Sequence, residues 1–426
     1  MTGGRSPFVT RILRILGPGL MAGAADDDPS GIATYSQSGA ELGYAQCWTM
    51  FLTTPFMVAV QIVSTRIGSV TGRGLAANLQ ETLPPYLLYS VIAVFVAANV
   101  FNIAADIAAM GEAARLLAGG PAIIYALALG LGCLIAQVLI PYRSYARYMK
   151  LLTLVLFAYV AAAFSIHINW NQVLLSTFIP HASWNRRLIV MLVAVLGTTI
   201  SPYLFFWQAS LEVEERRLTE KKKEAPLHDR KSVVRRFNPI VTDTWVGMGL
   251  SNIVGFFIIV ATAATLHAHG KTDIGTAAEA AEALRPLAGP LAFLLFSLGI
   301  IGTGLLAIPA LAGSAAYAVA EIFDWKSSLG LRLARAREFY LLIGTAILLG
   351  ALGAMSPINP ITMLVWSAVF NGIVAVPLMV GMMIVVTNPK IMGSFAASRL
   401  LAVFGWLATL LMGVVVAAFF LTSAMG

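Results

Sequence analysis

With 426 residues, 58% of them hydrophobic and only 11% charged, and a mean hydropathy of +0.82, the chain lies far from soluble composition; soluble domains carry about 25% charged residues. This balance leaves no room for a separate soluble domain, and the expectation is an all-α polytopic membrane protein. The net charge of +8 is spread over the connections between apolar segments, where it orients the chain, so no nucleic-acid partner needs to be invoked.

The first residues, "MTGGRSPFVTRILRILGPG", are basic and show no small-residue cleavage site, so they are expected to lead into the first span from the cytoplasmic side. Apolar windows follow at 13–43, 46–68, 88–117, 121–141, 149–168, 188–211, 240–267, 287–320, 338–356, 359–386 and 398–424, which makes about eleven spans. Numbering from a cytoplasmic N-terminus places Arg5, Arg11, Arg14, Arg66, Arg73, Arg143, Arg147 and Lys150 inside. The run "RRLTEKKKEAPLHDRKSVVRRF" and Lys326, Arg332, Arg335, Arg337 and Lys390 fall on the same side. Only Arg115, Arg186, Arg187, Lys271 and Arg285 remain opposite, so an integral plasma (inner) membrane protein with an outside C-terminus is expected. The basic segment 213–238 reads as a cytoplasmic loop. Cys47 and Cys133 sit in apolar context without metal-ligand spacing and read as packing residues.

Two windows carry breaks. The first contains "AGAADDDPSG" (22–31) and the sixth contains "GTTISPYLFFW" (197–207). Pro29 and Pro202 each remove a backbone donor and disfavour helix in the preceding residue. Five spans separate the breaks, so each opens a five-helix unit. This predicts one membrane transport domain over 1–426, with inverted repeats at 13–168 and 188–386 and an extra helix at 398–424. A carboxylate at mid-membrane costs about 2.5–3.5 kcal/mol on the lenient scale. Asp26, Asp27 and Asp28 in succession therefore demand a function or an aqueous cavity. Successive helical residues point about 100° apart, so one or two of the three can face a common ligand and the rest must turn elsewhere.

"GPGLMAGAADDDPSGIATYSQSGAELGY" resembles the first-helix signature of the natural resistance-associated macrophage protein (Nramp) divalent-metal transporters, G-P-G, D-P-G-N and A-T-D-I-Q-A-G-A-x-x-G-Y. Asp28-Pro29-Ser30-Gly31 stands at D-P-G-N, and Ala33, Thr34, Gln37, Gly39, Ala40, Gly43 and Tyr44 follow close to register. "TTISPYLFFWQAS" resembles the family's A-x-x-M-P-H segment, and "ADIAAMGEA" its D-L-A-E-V-I-G-T-A. The resemblance implies a leucine-transporter-like 5+5 fold plus one helix, with helices 1 and 6 broken. It also implies a metal ion as transported substrate, held by the Asp28 carboxylate, the residue at Gly31, the carbonyls of Ala25 and Thr198, and the side chain of Ser201. Asp26, Asp27, Gln37, Asp106, Tyr203 and Asn371 are the candidates for the surrounding shell or pathway.

The departures carry the selectivity argument. Gly31 replaces the family asparagine, Ser201 its methionine, Tyr203 its histidine, and Ala109 an acidic position three residues after Asp106. Without sulfur, the oxygen donors suit Mg²⁺, Ca²⁺ and Mn²⁺ better than Cd²⁺, Cu⁺ or Fe²⁺, and few side-chain ligands suit an ion that keeps its waters. This looks like the Nramp-related magnesium transporters. Loss of the histidine and one acid weakens the proton route. A divalent ion falling through 100 mV gains about 4.6 kcal/mol, enough for about three decades of accumulation without coupling. Weakly coupled or uncoupled Mg²⁺ or Mn²⁺ uptake is expected, with no cofactor, no obligate protein partner and membrane lipid as surroundings. Proton-coupled Mn²⁺/Fe²⁺ import of the ordinary Nramp type is the alternative, as is an organic-cation or amino-acid carrier on the same fold. Three aspartates would repel an amino-acid carboxylate. An intramembrane enzyme binding Mg²⁺-diphosphate would need two separated acidic motifs, and the cluster here is single, so no enzyme is expected. Glu112 and Arg115 read as a local i,i+3 pair, Glu212 and Asp243 as gate or loop residues, and no histidine as a buried ligand.

Overall fold

The computed structural model describes residues 22–23, 25–140, 157–180, 185–221 and 230–425. Arg5, Arg11, Arg14, Arg143, Arg147, Lys150, His181 and His228 lie outside them. Residues 22–23 and 25–26 are helical, and regular helix stops at Asp27 and Asp28. Helix α1 (Pro29–Leu42) then starts on an extended Asp28, φ −68° and ψ 169°, with Pro29 in the first helical position, where a missing N–H costs nothing. A 3₁₀ turn joins α1 to α2 (Cys47–Thr71), and a short α3 (Leu75–Leu79) follows. After α3 come α4 (Pro85–Ala118), α5 (Ala122–Leu139), α6 (Phe157–Ser165) and α7 (Trp170–Phe178).

The second half opens with α8 (Arg186–Thr199), capped by the Asn185 side chain. Helix stops at Ile200 and Ser201 and resumes as α9 (Pro202–Lys221). Then follow α10 (Arg230–Thr265), the short α11 (Ala277–Glu282) and α12 (Arg285–Ala288), and α13 (Ala292–Ile322). The chain ends with α14 (Arg337–Gly353), α15 (Pro360–Thr387), α16 (Pro389–Met392) and α17 (Arg399–Met425).

Eight stretches among the described residues are long and apolar enough to cross a membrane. They map onto the eleven windows with three adjustments. The stretch Pro29–Thr71 joins the first two windows; α14, at 17 residues, falls just short of that length; the window 149–168 is described only from residue 157. The segment 213–238, expected as a loop, is helical over 213–221 and 230–238. Its Lys, Arg and Glu are good helix formers, so charge alone did not mark a loop.

Helix α1 lies at the centre, packed against α10, α15, α8 and α4. Close approach needs small residues, as membrane helix packing generally does. A Cβ on Gly372 of α15 would stand 2.8 Å from the Val193 carbonyl of α8, and one on Gly197 would collide with the Ala368 carbonyl. This crossing draws the α8 break against the bundle core. Outward, Phe51, Leu139, Leu341 and Leu400 are 65–73% exposed, an apolar rim that suits hydrocarbon and not water.

Candidate functional site

The three aspartates divide. Asp28 caps α1: its Oδ1 accepts the Gly31 N–H at 2.7 Å, which satisfies a donor the helix start would otherwise leave bare. Its Oδ2 turns to α4, where Asn102 Nδ2 donates to it at 3.1 Å. Asp26 and Asp27 turn instead to α10, where Ser251 Oγ lies 2.8 Å from Asp26 Oδ2 and 2.9 Å from Asp27 Oδ1. One hydroxyl has one proton, so Ser251 serves the two carboxylates alternately. All three aspartates are buried. The unwound backbone thus sends one carboxylate one way and two the other, as the angular argument required.

Asp28 heads a polar line across three helices. Asn102 Nδ2 also donates to Asp106 Oδ2 at 3.1 Å, and Asn371 Nδ2 on α15 donates to Asn102 Oδ1 at 3.0 Å. Asp106, Asn102 and Asn371 are all buried. Asp28, Asp106 and Asn371, far apart in the chain, are therefore brought together, and Asn102 joins them. Sequence reasoning missed Asn102 and Ser251. For Asn102 a signal existed: Asn99, Asn102 and Asp106 recur at i, i+3 and i+7 on an otherwise apolar helix, which is one polar face directed inward.

The α8–α9 break meets the first one at two points. Tyr203 OH donates to the Ala25 carbonyl at 2.6 Å, which leaves that carbonyl a second lone pair. A Cβ placed on Gly31 would lie 3.1 Å from Thr198 Oγ1 and 3.5 Å from Asp28 Oδ1. Gly31 therefore faces both the threonine hydroxyl and the aspartate across a narrow gap. Ser201 Oγ donates back to its own helix, to the Thr198 carbonyl at 2.6 Å and the Gly197 carbonyl at 3.0 Å. Its proton is held on the backbone side, so its lone pairs are the part available to a cation. Gln37 lies apart from this centre: it binds the Ile274 N–H at 2.9 Å and the Thr272 carbonyl at 3.3 Å.

Hydrogen bonds also tie helices and connections together on both sides of the breaks. At the Gln37 end, Asn359 donates to the Gly275 carbonyl. A cavity of about 120 Å³ lies nearby, lined in part by Ala109, Glu112, Arg115 and Thr276. Glu112 and Arg115 form the local pair expected, 2.6 Å apart. At the other end Glu321 accepts from the Ala76 N–H at 2.9 Å and Ser210 Oγ at 3.1 Å, and Glu212 accepts from Ser69 Oγ at 3.0 Å. Glu212 and Asp243 are buried within helices and are not loop residues. Cys47 and Cys133 are buried thiols.

The chemistry of this centre is oxygen chemistry. Among the described residues no three His, Cys, Asp or Glu side chains gather as a ready-made metal cage. Carboxylate, hydroxyl, amide and carbonyl oxygens, with retained water, would have to complete a shell, which is the donor set of hard cations.

The family model described as natural resistance-associated macrophage protein-like matches residues 19–422. A relative from Pectobacterium carotovorum described as "Divalent metal cation transporter MntH" is 26% identical over 306 residues, covering 69% of this chain and 68% of the relative. The solved manganese transporter of Eremococcus coleocola aligns over 99% of this chain and 89% of its own, with a TM-score of 0.74 at 15% identity. A nucleobase-cation-symport-1 family transporter aligns over 96% of this chain and 92% of its own, with a TM-score of 0.54 at 14% identity. These structural likenesses give the fold: the all-helical, leucine-transporter-like architecture expected from the sequence.

Proposed function

This chain belongs to the natural resistance-associated macrophage protein-like family of integral membrane transporters, and we propose that it imports divalent metal ions, Mg²⁺ or Mn²⁺ foremost, through an oxygen-ligand site between its two helix breaks. The observation that carries the reading is the gap at Gly31. There the Asp28 carboxylate and the Thr198 hydroxyl both come within 3.5 Å of where a side chain would begin, and neither residue 31 nor residue 201 carries sulfur. Asp28 supplies charge. Thr198, Ser201 and the Ala25 carbonyl supply neutral oxygens, and Gly31 adds no side-chain ligand, so water would have to complete the shell. An ion that holds its hydration shell fits such a site better than one that seeks thioether sulfur. The description of the Pectobacterium relative as a divalent metal cation transporter supports the same cargo class.

Tyr203 in place of the family histidine supports transport driven by membrane potential with weak or no proton coupling. Two repeats, each opening with a break, and an extra last helix are the architecture we propose around the site, with the N-terminus cytoplasmic and the C-terminus outside. One observation favours a second reading, proton-coupled Mn²⁺ import: Asp106 is retained and tied to Asp28 through Asn102. Uptake of Mn²⁺ into proteoliposomes separates the two. The first reading expects competition by Mg²⁺ over Cd²⁺ and no acidification of the lumen. Strong Cd²⁺ competition with indifferent Mg²⁺, accompanied by lumenal acidification, would replace it with the second. Blockade by amines with no divalent uptake would point to an organic-cation carrier.

A further inference from the structure

We infer that Asn102 is a positioning residue of the ion site, deciding which oxygen atoms of Asp28, Asp106 and Asn371 are turned towards the cargo; the inference rests on the divalent-ion reading above. Its amide nitrogen sits 3.1 Å from a carboxylate oxygen of each aspartate. Carboxylates only accept, so the two of them fix the amide with its NH₂ group between them. The Asn102 carbonyl must then find a donor, and the Asn371 NH₂ fills that role at 3.0 Å. That contact fixes the second amide in turn. Asn371 Oδ1 is left buried and accepts no hydrogen bond among the described residues, and Asp106 Oδ1 is in the same condition. One side chain thus sets two acceptor oxygens, from α4 and α15, in a buried site beside the Asp28 carboxylate.

Buried acceptors without donors are costly, and a cation or its coordinated water is the partner that would satisfy them. Asn102 itself needs nothing further, since both its amide hydrogens and its carbonyl are engaged. It orients the acceptors without having to touch the ion. An apolar residue at 102 would instead free the Asn371 amide to rotate and let the two carboxylates lose their common donor. A histidine or lysine there would add a charge competing with the cargo.

Calorimetric titration of the purified full-length protein with Mn²⁺ and with Mg²⁺ tests this, using wild type, Asn102→Ala, Asn371→Ala and the double variant. Removing an orienting partner typically weakens a metal site about 10–100-fold, so Asn102→Ala is expected to lose about tenfold or more. The double variant is expected to bind within about twofold of Asn102→Ala, because an unoriented Asn371 has little left to lose. A residue that only fills space would give additive losses from the two substitutions, which would overturn the inference. Should Asn102→Ala not yield monodisperse protein, Asn102→Ser, which keeps one donor, carries the same comparison. Wild type that binds neither ion overturns the divalent-ion reading and this role with it. Wild type that binds while Asn102→Ala stays within twofold overturns the role alone.

Discussion

Asp28→Asn changes one atom, and its consequences can be worked through the geometry. The remaining Oδ1 still accepts the Gly31 N–H, now 2.7 Å away, and Asn caps a helix about as well as Asp, so α1 is expected to form. The new NH₂ group replaces Oδ2, which at present accepts from Asn102 at 3.1 Å. Donor would face donor, with the loss of a hydrogen bond to a charged group worth about 1.5–3 kcal/mol. The site also loses the negative charge nearest Gly31. Only part of this loss falls on the ion-bound state, because the free protein is relieved of a buried charge at the same time. The expected effect is therefore a lower bound, at least about a tenfold loss of uptake, or about 1.4 kcal/mol. Initial rates of Mn²⁺ and Mg²⁺ uptake in proteoliposomes measure it, with thermal unfolding as the control for the retained cap. Near-normal uptake by Asp28→Asn would refute the reasoning and move the site to Asp26 or Asp27.

Three further outcomes are expected. Asp106→Asn should weaken apparent ion affinity while transport stays unaccompanied by lumenal acidification; a robust proton current that this substitution abolishes would contradict uncoupled transport. Ser201→Met should shift competition towards Cd²⁺ and Mn²⁺ and depress Mg²⁺ uptake, since a thioether offers Mg²⁺ little and the longer chain displaces water; unchanged selectivity would remove Ser201 from the site. Gly372→Val should destabilise the fold by about 1–3 kcal/mol through overpacking, because its Cβ would lie 2.8 Å from the Val193 carbonyl; a thermal transition equal to wild type would show that α8 and α15 can separate there without cost.

The legible part of the protein was the part written locally. Pro29 and Pro202 marked the two interruptions because proline acts on its own backbone and on the residue before it. The burial of Asp28 and Asp106 could be read because a carboxylate inside an apolar run is too costly to persist without a use. Contacts between distant segments were not legible in the same way. Ser251 takes up Asp26 and Asp27 from 225 and 224 residues away, and nothing in its own neighbourhood announces that. Asn102 lay between these cases, since its spacing from Asp106 was visible while its bond to Asn371 depended on how α15 packs against α4. Charge misled in one place. The basic segment 213–238 is helical on both its described sides, because Lys, Arg and Glu mark solvent exposure and favour helix equally well. Gln37 took its position from the same first-helix signature as Asp28, yet one face of α1 serves the centre while Gln37 reaches the segment 272–274.

The central claim is that a divalent ion sits between the two breaks, and anomalous scattering from Mn²⁺ in crystals of the full-length protein tests it most directly. An anomalous peak is expected within coordination distance of the Asp28 carboxylate, on the Thr198 side of Gly31, and it should vanish in Asp28→Asn. A peak held by Asp26, Asp27 and Ser251 instead, or no peak at saturating Mn²⁺, would contradict it.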